Sequence, residues 1–76
     1  MTTLRLISLW YAKAADGTIH RRVEVRAAGD RCRVYFDEGV MASGDFYTGR
    51  TRIESWPSDP TVVSDSLRQL GYEPAA

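Results

Sequence analysis

Along most of the chain apolar and polar residues alternate in short runs separated by turn residues, and only the last third has helical spacing. Leu4 to Ala12 is rich in Leu, Ile, Trp and Tyr and predicts a first strand. Asp16-Gly17 follows as a hairpin signal, because both residue types tolerate positive φ. From Ile19 to Ala28, Val23 and Val25 point one way, and Arg22, Glu24 and Arg26 point the other. Gly29-Asp30 is a second two-residue turn, with glycine first as a type II′ turn prefers. Arg31 to Phe36 alternates again, with Cys32, Val34 and Phe36 on one face.

Counting residues back from the turns fixes a register. A turn at Gly29-Asp30 pairs Ala27 with Cys32, Val25 with Val34 and Val23 with Phe36, so apolar residues face apolar partners. The other face pairs Arg26 with Arg33, Glu24 with Tyr35 and Arg22 with Asp37. A one-residue slip would destroy this segregation. A first hairpin closed at Asp16-Gly17 pairs Trp10 with Val23, Tyr11 with Arg22 and Ala12 with Arg21. It places Ser8 and Trp10 on the core face, and Ile7, Leu9 and Tyr11 on the arginine face.

The middle of the chain is less regular. Asp37-Glu38-Gly39 and Ser43-Gly44-Asp45 read as turns, with Val40-Met41-Ala42 a short strand between them. Phe46-Tyr47-Thr48 and Thr51 to Trp56 look extended and could be one strand interrupted near Gly49. Ile53 is expected inward there, with Arg52 and Glu54 outward, and Pro57 ends the strand.

The helix is read from its caps and period. Asp59 is a good N-cap and Pro60 suits the first helical position. Val63, Leu67 and Leu70 lie at i, i+4 and i+7, Ser64, Asp65, Arg68 and Gln69 form the wet side, and Gly71 is a stop. This predicts a helix over Pro60 to Leu70. Tyr72 is expected to fold back on the sheet and Glu73 to Ala76 to fray. The expected fold class is α+β: an antiparallel sheet of four or five strands, an N-terminal meander, with one C-terminal helix packed on one face. The first strand is apolar on both sides and would be central if the Thr51–Trp56 strand paired beside it. The alternative is a small SH3- or OB-like β-barrel with the helix appended.

Length and composition then narrow the picture. With 76 residues the chain makes a single domain, 1–76. It is 43% hydrophobic and 26% charged, the balance of an ordinary globular domain. No run approaches the ~18 apolar residues of a membrane helix, and the first residues lack the basic and apolar regions of a secretory signal. The lone Cys32 permits no internal disulfide and fits a reducing compartment, so a cytoplasmic location is expected.

The same inventory argues against several chemistries. Cys32 and His20 fall on different faces and should not form a nucleophilic pair, nor can they hold a structural zinc alone. Asp37-Glu38, Asp45, Glu54, Asp59 and Asp65 are scattered rather than paired across a cleft. Gly39, Gly44 and Gly49 match neither phosphate-loop pattern, and Asp37 to Asp45 lacks EF-hand spacing. No enzyme, metal or cofactor is expected.

Surface chemistry says more. Ten basic and ten acidic residues cancel, yet nine of the ten basic residues are arginine, Lys13 being the exception. A GC-rich coding sequence favours arginine; so does recognition, because its planar fork pairs with carboxylate or phosphate and stacks on rings. The predicted sheet face gathers Ile7, Leu9, Tyr11, Arg22, Arg26, Arg31, Arg33 and Tyr35, with Arg50 and Arg52 extending it. Tyrosine, arginine and an apolar strip are what protein interfaces concentrate. The like-charged Arg26 and Arg33 pair needs an acidic group nearby. The expected function is therefore a small non-catalytic binding module, its partner most often a protein, acting by steric occupancy. In kind it resembles the small inhibitory proteins of phages and mobile elements, such as anti-CRISPR proteins, by size and lack of chemistry. Direct nucleic-acid binding by the same face is the alternative, and a homodimer pairing through the apolar strip is a third reading.

Overall fold

A computed structural model describes residues 4–42 and 45–75, the side chains of 40–42 and 45–48 excepted. Five strands and a helix follow in the order β1 (Leu6–Lys13), β2 (Ile19–Ala28), β3 (Arg31–Ala42), β4 (Asp45–Pro57), α1 (Pro60–Gln69) and β5 (Glu73–Pro74). All pairings are antiparallel, and the spatial order is β4-β3-β2-β1-β5. The sheet is open, because β4 and β5 lie at opposite edges, so the barrel alternative is excluded. The α+β expectation, with the helix after the meander, stands.

The β2–β3 hairpin has the register counted from its turn, from Ala28↔Arg31 to Arg22↔Asp37. Gly29 adopts φ +67°, the conformation that makes glycine the residue for this position. In the β1–β2 hairpin, Trp10↔Val23, Tyr11↔Arg22 and Ala12↔Arg21 also hold. Its loop, however, is not a two-residue turn. Gly17 N–H bonds Ala14 O at 3.0 Å and Ala14 N–H bonds Thr18 O at 2.8 Å, a three-residue loop with Gly17 at φ +87°. The longer loop would shift the register by one. An irregularity between Ala12 and Lys13, opposite the Arg21–Ile19 stretch, shifts it back.

Three other expectations are corrected. Asp37-Glu38-Gly39 is not a turn: β3 runs through it without a break, paired to β4 as far as Ala42↔Asp45. Residues 43 and 44 of the expected Ser43-Gly44-Asp45 turn lie outside the described residues. The Thr51–Trp56 segment pairs with β3, not beside β1, and β1 is instead flanked by β5. Glu73-Pro74 is not frayed, because it pairs with Tyr11 and Trp10, and Ala75 N–H bonds Leu9 O at 2.8 Å.

The helix forms as its caps predict. The Asp59 carboxylate accepts from the backbone N–H groups of Thr61 at 3.0 Å and Val62 at 3.3 Å, and Pro60 follows it. Val63 and Leu67 are buried; Leu70, expected on that face, is the C-cap and is 46% exposed. Tyr72 replaces it in the core, carried there by Gly71 at φ +93°. The core is a single cluster between sheet and helix: Trp10, Ala12, Val23, Val25, Cys32, Val34 and Phe36 from the strands, then Val63, Leu67 and Tyr72. Ser8 is tolerated on that side because its hydroxyl accepts from Trp10 Nε1 at 3.0 Å.

Candidate interaction face

Cross-strand pairing sorts the residues of the sheet onto its two sides. The side away from the helix carries Leu9 and Tyr11 of β1, Arg22, Glu24 and Arg26 of β2, and Arg31, Arg33, Tyr35 and Asp37 of β3. Arg50, Ile53 and Ser55 of β4 complete it. Eight of the ten expected residues are therefore brought together: Leu9, Tyr11, Arg22, Arg26, Arg31, Arg33, Tyr35 and Arg50.

Ile7 and Arg52 are not. β1 bulges between Leu6 and Ser8, so Leu6 lies opposite Arg26 and Ile7 turns to the helix side. There it lines a cavity of about 170 Å³ with Trp10, Val25, Cys32 and Val63. Arg52 lies opposite Phe36, with its guanidinium 4.1 Å from that ring's centre. A third irregularity, between Phe36 and Asp37, skips Thr51 and lets Arg50 and Arg52 take opposite sides. Ile53 is correspondingly outward, 54% exposed, and Arg52 and Glu54 are on the helix side, the reverse of the expectation. Alternation allows only one of Ile53 and Trp56 to face the core. Trp56 packs against the core cluster, as the larger apolar group should. Glu54 on that side accepts from Trp56 Nε1 at 3.0 Å.

The centre of the open face is an ion-pair network around Asp37. This carboxylate is 1% exposed. Arg50 grips it with two bonds, Nε to Oδ1 at 2.7 Å and a terminal nitrogen to Oδ2 at 3.0 Å, and Arg22 adds a third donor at 3.3 Å. Glu24 bridges the same two cations, Arg22 at 3.5 Å and Arg50 at 3.7 Å, and adds Arg26 at 3.2 Å. Burial pushes the Asp37 carboxyl up, but the hydrogen bonds and charges of Arg50 and then Arg22 outweigh it and hold it below the usual 3.8. Arg50 is also stacked 4.5 Å from the centre of the Tyr35 ring.

Glu24 is therefore the acidic group that Arg26 needs, and it comes from the chain itself. Arg26 additionally donates to Leu4 O at 2.8 Å. Arg31 bonds the hydroxyl of Ser55 at 2.7 Å and its carbonyl at 3.0 Å. Arg33, opposite Arg26 and Ser55, is exposed and has no ion pair or hydrogen bond among the described residues. The face thus has a neutralised centre and a cationic end.

The Arg22–Asp37 pair was legible from the register, whereas the Arg50 fork was not, because it depends on the skip at Thr51. Cys32 is buried in the core beside Ala27, and His20 lies at the far end of β2. Among the described residues no group of three or more His, Cys, Asp or Glu side chains could hold a metal ion, and no helix is long and apolar enough to cross a membrane. Comparison with known protein families, curated proteins and solved structures returns no match.

Proposed function

We propose that the chain is a non-catalytic binding module that docks its open sheet face on an acidic surface of another protein and acts by occupying that surface. The observation that carries this reading is the charge balance of the face. On β2, β3 and β4 the described side chains there include five arginines, Arg22, Arg26, Arg31, Arg33 and Arg50, against two carboxylates, Glu24 and Asp37, while the whole chain sums to zero. The surplus is concentrated at Arg31 and Arg33, outside the Asp37 network. Leu9, Tyr11, Tyr35 and Ile53 add the apolar and aromatic area on which interfaces rely. A protein is favoured over nucleic acid because Glu24 and Asp37 neutralise the middle of the face and leave its surplus charge at one end, a patch suited to a few carboxylates rather than to a continuous phosphate backbone. Steric occupancy is the mode of the small inhibitory proteins that the chain resembles in kind.

The test is affinity capture from the native host with the wild-type chain and with Arg31→Glu/Arg33→Glu. Both residues are exposed and lie outside the central network, so the variant should fold. The expected result is a nuclease-resistant protein partner held by the wild type, released by salt and lost with the variant. Equal capture by both chains overturns the reading. Capture abolished by nuclease, with a gel shift of single-stranded DNA that weakens steeply with salt, replaces it by nucleic-acid binding.

A further inference from the structure

One edge of the sheet is unlike the other. At the β1 side, β5 covers only Trp10 and Tyr11. At the opposite side, β4 runs from Asp45 to Pro57 and pairs only with β3 among the described strands. A free edge of that length offers a row of unpaired N–H and C=O groups to another chain. Proteins usually protect such edges with charged side chains, proline or a bulge. Pro57 blunts one end of this one, and the irregularity at Thr51 interrupts its middle. Between them lies Thr51-Arg52-Ile53-Glu54-Ser55, where the charges alternate in sign.

We infer that β4 is the interface of a two-fold dimer, with a second copy of this chain as its occupant. An antiparallel pairing centred on Ile53 sets Arg52 opposite the second copy's Glu54, Glu54 opposite its Arg52, and Thr51 opposite its Ser55. Ile53 meets its own equivalent. No other centre within the segment matches both charges. A self-complementary patch of this kind is what a two-fold interface requires. Opposite charges directly across a pair of strands stabilise it, and like charges oppose it. Arg52 and Glu54 already form an ion pair within the chain, with side chains 56% and 40% exposed, so a second copy completes a four-charge ring without burying either group unpaired. Ile53, 54% exposed, gains an apolar partner. The dimer axis stands perpendicular to the sheet. Both open faces then point the same way, and the five-stranded sheet continues from one copy into the next.

The dimer does not depend on the partner proposed above, because it uses the edge and needs no other protein. Sedimentation equilibrium on the purified chain tests it. The expected mass rises with concentration from 8.5 kDa toward about 17 kDa, twice the chain. Arg52→Glu alone and Glu54→Arg alone should each stay at the monomer mass, since each sets like charges opposite one another. An equimolar mixture of the two variants should dimerise again, because all facing charges are then opposite. Circular dichroism of each variant confirms the fold. A wild type that remains monomeric at high micromolar concentration overturns the inference. So do single reversals that leave the dimer intact, or a mixture that stays monomeric.

Discussion

Burying a carboxylate costs free energy unless charged donors surround it, and Asp37 meets that condition through Arg50 and Arg22. Replacing it with asparagine keeps the shape and removes the charge. Both arginines stay partly hydrated, so the expected loss is about 2 kcal/mol rather than the larger cost of a fully buried pair broken. For a domain of this size that is a fall of about 10 °C in melting temperature, readable by circular dichroism. The sign of the pH effect follows from the lowered carboxyl. Its stabilisation is complete above the ordinary 3.8 and is lost as pH falls below that value toward the folded-state pKa. Acid titration should therefore destabilise the wild type in that range, and the Asp37→Asn variant should have lost this component. Arg33 provides the contrast. It has no partner among the described residues and faces Arg26, so Arg33→Ala should change stability by no more than about 0.5 kcal/mol. A large destabilisation there would show that the arginine does structural work within the chain.

At the level of elements, α1 is held by one cap and two buried side chains. Asp59→Ala removes the acceptor of two N–H groups and should cost about 1 kcal/mol, and Leu67→Ala, at a fully buried site, about 3 kcal/mol. Both are read from urea unfolding midpoints, and a cap variant as stable as the wild type would contradict the assignment of Asp59. The helix and the two hairpins were legible because their signals are local: a cap and a proline, glycines at positive φ, and alternation that survives only one register. The irregularities were not. The two between β1 and β2 are marked by no glycine, the skip at Thr51 falls two residues beyond the interruption expected near Gly49, and each reverses the alternation beyond it. That is why Ile7 left the arginine face and why Arg50 and Arg52 parted. Ile53 was misplaced for a different reason: Trp56 shares its strand at opposite parity, and two large apolar groups competed for one side. The pairing of Glu73-Pro74 was hidden because its partner strand is far away in sequence.

The whole molecule measures 37 × 31 × 21 Å, and the short dimension is what one sheet and one helix layer occupy. Its radius of gyration, 12.5 Å, exceeds the roughly 11 Å of a sphere-like domain of this length. The helix covers one side of the sheet, and the other carries five of the nine arginines. The account rests on that side being the surface that meets acidic groups, and a direct map of it needs no native partner. A glutamate-rich peptide should be titrated at low salt into the isotopically labelled chain and followed by amide and arginine side-chain NMR. The expected shifts centre on Arg31 and Arg33 and extend to Arg26, Tyr35 and Tyr11, with the Arg22 and Arg50 side chains changing least because Asp37 and Glu24 already hold them. Shifts centred on the helix side around Arg21, Arg52 and Arg68, or spread evenly over all arginines, would contradict it.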